Sequence, residues 1–395
     1  MTKINVNRLQ SGMVVTKPVV TKRGQVIASE GTVLTAQLIA RLSFYRVPSV
    51  MIDENSIPDE QPAEVQILSS LDEEASAPSE TAAEPDAAEP ESTAPGRSRE
   101  ETASHKQKLQ STPQFQAFQT SYTKNMITLQ NDFDQIIAGN VDHACAHLLQ
   151  EASQLFASKT SLELFDMIHT MRSVDDSVYA HSLNVALIAR AIGKWMQFSK
   201  SDLDTLTLAG LLHDIGKTQI PPEILNKQGA LTDEEFDIIR SHAKLGHRIL
   251  KNTDLDLRVK LAALQHHERF DGSGYPRGLE SDEIDTFASI VAIADVYDAM
   301  TAARSYRAPK CAFQVIAAFE SDGFQKYNPK VIFTFLQRVA ACYNNSRVLL
   351  SDGTAGRVVF LNKNALSRPI IETDEDDMID LSSSENKELF IKAIL

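Results

Sequence analysis

Residues 265–279 read QHHERFDGSGYPRGL. Neighbouring residues on an α-helix diverge by about 100°, so His266 and His267 cannot both face one core from mid-helix. They belong at a helix end or turn, or are both held by something that wants nitrogen donors. Three other histidines, His181, His213 and His242, also stand in contexts shared with carboxylates. His213 is followed directly by Asp214, in a helical run expected to end at Gly216. Asp295 lies in the apolar run AIADVYDAM, where an ionised carboxylate is costly unless paired or ligated. Imidazole with carboxylate is a borderline-hard donor set that suits iron, manganese or zinc rather than thiolate-selected metals. Asp214 has two oxygens and can bridge two ions. Such a pair, about 3.5–4 Å apart, activates a water and clamps a phosphate oxygen. Taken singly, each histidine is more simply a core or surface residue, and His105, His143, His147, His169 and His247 keep that reading. The joint pattern is what points to metal-assisted hydrolysis.

The elements that must position these residues can be read from composition and periodicity. The chain has 395 residues, 43% of them hydrophobic, enough for two or three domains and a sizeable core. Residues 1–52 read as a small α+β domain. In it VVTKPVVTKRGQVIA forms two β-rich runs around Lys22-Arg23-Gly24, TAQLIARLSFYRV has helical spacing, and VPSVMI returns as a strand. Residues 53–104 contain SAPSETAAEPDAAEPESTAPGRSREE, which is nearly devoid of large apolar groups, and read as a disordered acidic Pro/Ala/Glu linker. Apolar residues recur at three- and four-residue intervals from 105 to 340, which predicts an all-α bundle broken by loops at Pro221-Pro222 and Gly272–Pro276. Its first part, 105–171, is a helical lead-in. Residues 341–395 change character: RVLLSDGTAGRVVFL predicts a hairpin around Asp352-Gly353 and RPIIETDEDDMIDL further strands, together a small β-rich appendage.

The net charge of −14 argues against binding nucleic acid polymers or anionic membranes. No stretch reaches the roughly 18 apolar residues needed to span a bilayer, and MTKINVNRLQSGM lacks a signal-peptide core. Three scattered cysteines, Cys145, Cys311 and Cys342, form no CxxC pattern and fit a reducing compartment. The expectation is a cytoplasmic protein.

Four segments appear in order: HDIGKTQIPPEILNKQGALTDEEF, SHAKLGHRIL, QHHERFDGSGYPRGL and IVAIADVYDAMTAARSYR, preceded by the helix YAHSLNVALIA. Over about 172–340 this order resembles the HD-GYP phosphodiesterases of the HD superfamily, and residues 1–52 resemble a small domain that precedes some of them. The resemblance implies an HD-type helical bundle that hydrolyses cyclic di-GMP to linear pGpG, a product that members of the family often carry on to GMP; the endpoint, pGpG or GMP, stays open. It implies two divalent ions, iron or manganese. His181, His213 and Asp295 would hold one, His242, His266 and His267 the other, and Asp214 would bridge. Lys217 would contact the scissile phosphate; Arg304 and Arg307 would grip phosphate or guanine through bidentate guanidinium contacts. Asp298 matches a position near the activated water, or else caps or pairs within its helix. Gly272 and Gly274 would supply unusual backbone conformations, and Tyr275 would stack on a base or pack the loop.

Two departures bear on these expectations. Some members place a glutamate four residues before the first histidine to hold a third ion; here that residue is Ser177, which favours two ions. A frequent Phe-Asp-Pro is Tyr327-Asn328-Pro329 here, read as structural. The same resemblance admits diguanylate cyclase (GGDEF) proteins and a second copy of the chain as partners. Three other readings stand beside it: a non-hydrolytic cyclic di-GMP receptor, a mononucleotide hydrolase, and a hydrolase of another cyclic dinucleotide such as cyclic GMP-AMP.

Overall fold

The computed structural model describes residues 2–20, 26–35, 38–39, 42, 47–56, 112–156, 160–171, 178–227, 229–302 and 310–395. Near the N-terminus, β1 (Thr2–Asn5) pairs antiparallel with β4 (Ser49–Ile52), and β2 (Val19–Val20) with β3 (Val26–Ala28). Their buried side chains, among them Val15, Leu34, Leu42 and Ile52, form a cluster of their own. The turn expected at Lys22-Arg23-Gly24 lies outside the described residues, as does residue 57 onward of the expected linker. Its first residues pack back on the strands: the Val14 N–H donates to Ser56 Oγ at 2.8 Å.

The helices begin with α1 (Pro113–Ile137), whose Thr112 hydroxyl accepts the Phe115 N–H and whose first residue is proline. Then come α2 (Val141–Phe156), α3 (Ser161–Met171), α4 (Val178–Trp195) and α5 (Lys200–Leu212). Short α6 (Pro222–Leu225) leads to α7 (Asp233–Arg240), α8 (His242–Leu250), α9 (Leu257–Gln265) and α10 (Thr286–Thr301). Helices α4 and α10 are apolar nearly all round, and almost every residue from Ala180 to Gly193 and from Phe287 to Asp298 is buried. They pack on each other and on α5. The Asp285 carboxylate caps α10 by accepting the Phe287 and Ala288 N–H groups.

Helix α5 stops at Leu212, four residues before the expected end at Gly216, and the chain tightens into a 3-10 turn over Ile215–Gln219. The reason is a close crossing. A Cβ at Gly216 would overlap the His242 carbonyl oxygen, so glycine lets this turn seat against the start of α8.

After α11 (Ala312–Ala318) and a π-helical turn at Phe319–Gly323 comes α12 (Pro329–Cys342). Asn328 caps α12, its side chain accepting the Lys330 and Val331 N–H groups, which gives the Tyr-Asn-Pro departure a helix-starting role. Strands β5 (Arg347–Leu350), β6 (Ala355–Phe360), β7 (Ile370–Thr373), β8 (Met378–Asp380) and β9 (Ile391–Ile394) form one antiparallel sheet in the order β8-β7-β6-β5-β9. The β5–β6 hairpin turns at Asp352-Gly353 as expected, and Gly353 has φ +95. Val348, Leu350, Val358, Ile371 and Ile391 from this sheet join the same buried cluster as the helices. Glu320 in the π turn accepts the Leu366 N–H at 2.6 Å and the Ser367 hydroxyl, fastening helices to sheet. Among the described residues no helix is long and apolar enough to cross a membrane.

Candidate metal centre

Seven side chains, from three helices and the ends of two others, meet at one point. His181 comes from α4, Asp295 from α10 and His242 from the start of α8; His213 and Asp214 follow α5, and His266 and His267 follow α9. His181 Nε2 lies 3.1 Å from Asp295 Oδ1. Asp214 is central: Oδ2 is 3.2 Å from His213 Nε2 and 3.7 Å from His181 Nε2, while Oδ1 is 3.3 Å from His242 Nε2 and 3.8 Å from His266 Nε2. His267 Nδ1 lies 3.9 Å from Asp295 Oδ2. Three sets of three donors each fall within 4.8 Å: His181 with His213 and Asp295, His242 with His266 and His267, and His213 with Asp214 and His266.

The adjacent pair is explained by where α9 ends. Gln265 is its last residue, His266 caps it, and His267 lies in the turn that follows. Leaving helical geometry lets two consecutive side chains point to one place.

Four imidazoles are fixed by their Nδ1 atoms. His213 Nδ1 donates to Gly210 O (2.8 Å), His242 to Ile239 O (2.6 Å) and His266 to Ala262 O (2.9 Å), each one helical turn back. His181 Nδ1 donates to Asp298 Oδ2 at 2.8 Å. At His213, His242 and His266 a proton held at Nδ1 leaves the Nε2 lone pair facing the centre, the arrangement that metal-binding histidines use.

Charge follows the same plan. Burial opposes the Asp214 charge, but His213, Lys217 and His242 outweigh it and hold the carboxyl well below the usual range. Burial likewise opposes Asp295, and the hydrogen bond and charge of His181 hold it well below as well. Burial pushes His267 down to about 3, and burial with neighbouring histidines drives His266 well below the ordinary imidazole value. His181 goes the other way: burial works against its cation, but Asp295 and Asp298 raise it to about 10. His213 Nε2 and Asp214 Oδ1 are buried without a hydrogen-bond partner. Two orphaned polar atoms inside an all-nitrogen-and-oxygen donor set fit a bound cation.

The centre forms the floor of a cleft of about 1020 Å³, lined on this side by His181, Lys217, His242, His267, Asp295 and Asp298. Lys217 sits in the 3-10 turn, and its Nζ is 2.5 Å from Asp214 Oδ2. Tyr275 lines the cleft with its ring stacked on His267, centroids 4.6 Å apart. Gly272 has φ +75, as expected of a glycine turn. Gly274 serves differently from the expectation. Its φ is not positive; glycine is needed because a Cβ would overlap the backbone of Glu268 and Arg269, and the residue does not line the cleft. Ser177, Arg304 and Arg307 lie outside the described residues.

Sequence reasoning missed two groups that hold this loop. Glu268, 2% exposed, accepts the Arg277 N–H at 2.8 Å and the Leu279 N–H at 3.0 Å. Arg240 sets its guanidinium over the Tyr275 ring at 4.6 Å. Glu268 stands directly after two histidines, but its partners are backbone amides nine and eleven residues on, which no side-chain pattern announces.

Residues 143–331 match the family model described as HD domain. Over 197 residues the chain is 37% identical to a cyclic di-GMP phosphodiesterase of Thermotoga maritima, covering 48% of this chain and 53% of that protein. Over 204 residues it is 35% identical to a cyclic di-GMP phosphodiesterase of Pseudomonas aeruginosa, covering 51% and 49%. Over 182 residues it is 34% identical to a 3'3'-cGAMP-specific phosphodiesterase of Vibrio cholerae, covering 45% and 35%. The matched stretch spans about half of the first two relatives and a third of the last. The stretch that matches the HD domain model takes in most of the helical bundle, and the donor set gathered there suits divalent metal ions.

Proposed function

We propose that this domain is a metal-dependent phosphodiesterase that opens cyclic di-GMP to pGpG. The observation that carries the reading is the convergence of His181, His213, Asp214, His242, His266, His267 and Asp295 at the floor of a cleft of about 1020 Å³, roomy enough for a dinucleotide.

In this reading His181, His213 and Asp295 hold one divalent ion, His242, His266 and His267 a second, and Asp214 reaches both. Bound divalent ions supply Lewis acidity, which makes a water nucleophilic near neutral pH and offsets phosphate charge. A donor set of imidazole and carboxylate suits iron, manganese or zinc, and the family resemblance favours iron or manganese among them. The chain's own contribution is preorganisation. The backbone carbonyls of Gly210, Ile239 and Ala262, with Asp298, fix four imidazoles in the ligating tautomer. Asp298 is thus a positioning residue for His181. Lys217, on the cleft wall, offers an ammonium to a non-bridging phosphate oxygen. Arg304 and Arg307 are assigned to phosphate or guanine. The water oxygen forms a bond to phosphorus, the bond from phosphorus to the 3′ oxygen breaks, and the ring opens to pGpG. GGDEF-domain partners and a homodimer belong to the same proposal and rest on the family resemblance.

The test is to load the protein anaerobically with iron or manganese, add cyclic di-GMP and resolve the products by chromatography. Appearance of pGpG supports the reading. Tight binding without hydrolysis under every divalent metal makes the domain a receptor instead. The cGAMP-specific relative favours a second reading, hydrolysis of 3'3'-cGAMP; the same assay with that dinucleotide, compared by kcat/KM, separates the two.

A further inference from the structure

The cleft has a second wall, away from the metal floor. Helix α7 opens with a capping box in which the Thr232 hydroxyl accepts the Glu235 N–H and the Glu235 carboxylate accepts the Thr232 N–H. Lys227 also binds Glu235, at 2.6 Å, and so ties the preceding loop to the helix. With the cap made by Thr232 and Glu235, Asp233 is not the capping group. Asp233 and Phe236 lie three residues apart, on one face of the helix, and both line the cleft. Phe236 is 48% exposed.

The ring is not loose. The Arg240 guanidinium lies over Phe236 at 5.3 Å and over Tyr275 at 4.6 Å, and Tyr275 stacks on His267. One continuous stack therefore runs from a metal-centre histidine to the cleft rim. Tyr275 is engaged by His267 and Arg240; of the other aromatic side chains that line the cleft, Tyr179 and Phe236, Phe236 is the one carried by α7.

We propose that the Asp233–Phe236 face of α7 is a guanine subsite: a purine of the cyclic dinucleotide stacks on Phe236, and the Asp233 carboxylate accepts the N1–H and N2–H of its Watson–Crick edge. This rests on the phosphodiesterase reading and adds to it the part of the substrate that the protein selects. A carboxylate has only acceptors at neutral pH, so it matches the paired donors of guanine; the corresponding edge of adenine presents an acceptor at N1. Stacking of a base on an aromatic side chain is worth about 1–3 kcal/mol by alanine substitution.

The experiment uses the full chain loaded with metal. Phe236→Ala should raise KM for cyclic di-GMP by about tenfold or more, with a smaller fall in kcat and normal metal content. Asp233→Asn should narrow the preference for cyclic di-GMP over cyclic di-AMP by about tenfold. The chain has a single tryptophan, Trp195, so Phe236→Trp adds a reporter, and cyclic di-GMP should quench its emission beyond any change seen in the wild type. If the wild type hydrolyses cyclic di-GMP but Phe236→Ala leaves KM within twofold, the subsite is wrong and the phosphodiesterase reading stands. If the wild type fails to hydrolyse any cyclic dinucleotide while Phe236→Trp is quenched saturably, the subsite stands and the enzyme reading falls. Absence of both signals overturns both. An unchanged base preference in Asp233→Asn overturns the edge-reading role of that carboxylate.

Discussion

At the scale of single residues, ring orientation is what turns a crowd of histidines into a ligand set. Asp298 holds His181 by its Nδ1 at 2.8 Å. Removing such a partner typically costs 10- to 100-fold in metal affinity or activity, about the range expected for Asp298→Ala. Asp298→Asn keeps an acceptor oxygen and should lose less; chelator competition followed by metal analysis will rank the two. Asp295→Ala removes a proposed donor and should cost metal and turnover together. Arg304→Ala should instead weaken nucleotide binding by about tenfold or more, from the loss of a charge-assisted contact worth roughly 1.5–3 kcal/mol, with metal content unchanged. Isotherms and metal analysis on the same preparations decide, and the reverse pattern would mean that the roles along this segment are misassigned. The seven clustered residues were legible because unusual types, adjacent histidines and an acid in an apolar helix stand out in text. The tethers were not. Gly210, Ile239 and Ala262 act through carbonyl oxygens, which every residue has.

At the scale of elements, the Glu268 carboxylate is one of the groups that fasten the loop over the centre. Glu268→Ala would strip the partner from the Arg277 and Leu279 N–H groups, each worth about 1–3 kcal/mol if left unsatisfied in a buried setting. At about 2–4 °C per kcal/mol for a domain of this size, Tm should fall by several degrees. Tyr275 should lose its register on His267, and turnover should fall with it. Glu268→Gln keeps one acceptor oxygen and should fall between Ala and wild type in both readouts. Periodicity predicted α4 and α10 well because they are apolar over their whole length. It misplaced the end of α5, since the 3-10 turn is dictated by a crossing with α8 that no local pattern carries. For Gly274 the residue type was informative and the reason was not: close backbone packing and positive φ both ask for glycine, and sequence alone does not separate them.

At the scale of the molecule, burial divides the described residues unevenly. The cluster around Val15 and Ile52 is separate, whereas helices and C-terminal sheet share one core. A chain starting at residue 112 should therefore fold, bind metal and keep the proposed hydrolysis, since every proposed donor lies beyond it. A chain ending at residue 343 should expose the apolar surface that Val348, Leu350, Val358 and Ile391 cover, and should unfold more easily or aggregate. Circular dichroism, solubility and metal content compare the two; equal stability of both shortened chains would contradict the shared core. The sheet itself was legible from its hairpin and alternation. Its union with the helices was not, because the contacts join residues far apart in sequence, such as Glu320 with Leu366 and Ser367.

The seven donors also have an order along the chain. His242, His266 and His267 all fall inside the interval bounded by His181 and Asp295, so one triad is nested within the span of the other. Closing the inner span costs less chain entropy than closing the outer one, by about 1 kcal/mol from the logarithmic dependence on loop length. The inner triad is therefore the one a folding chain can gather first. Detachment of α10 alone would remove Asp295 from the outer triad and leave all three inner histidines on their helix ends. The two halves of the centre thus differ in when they can form, although side by side in the finished protein they look equivalent.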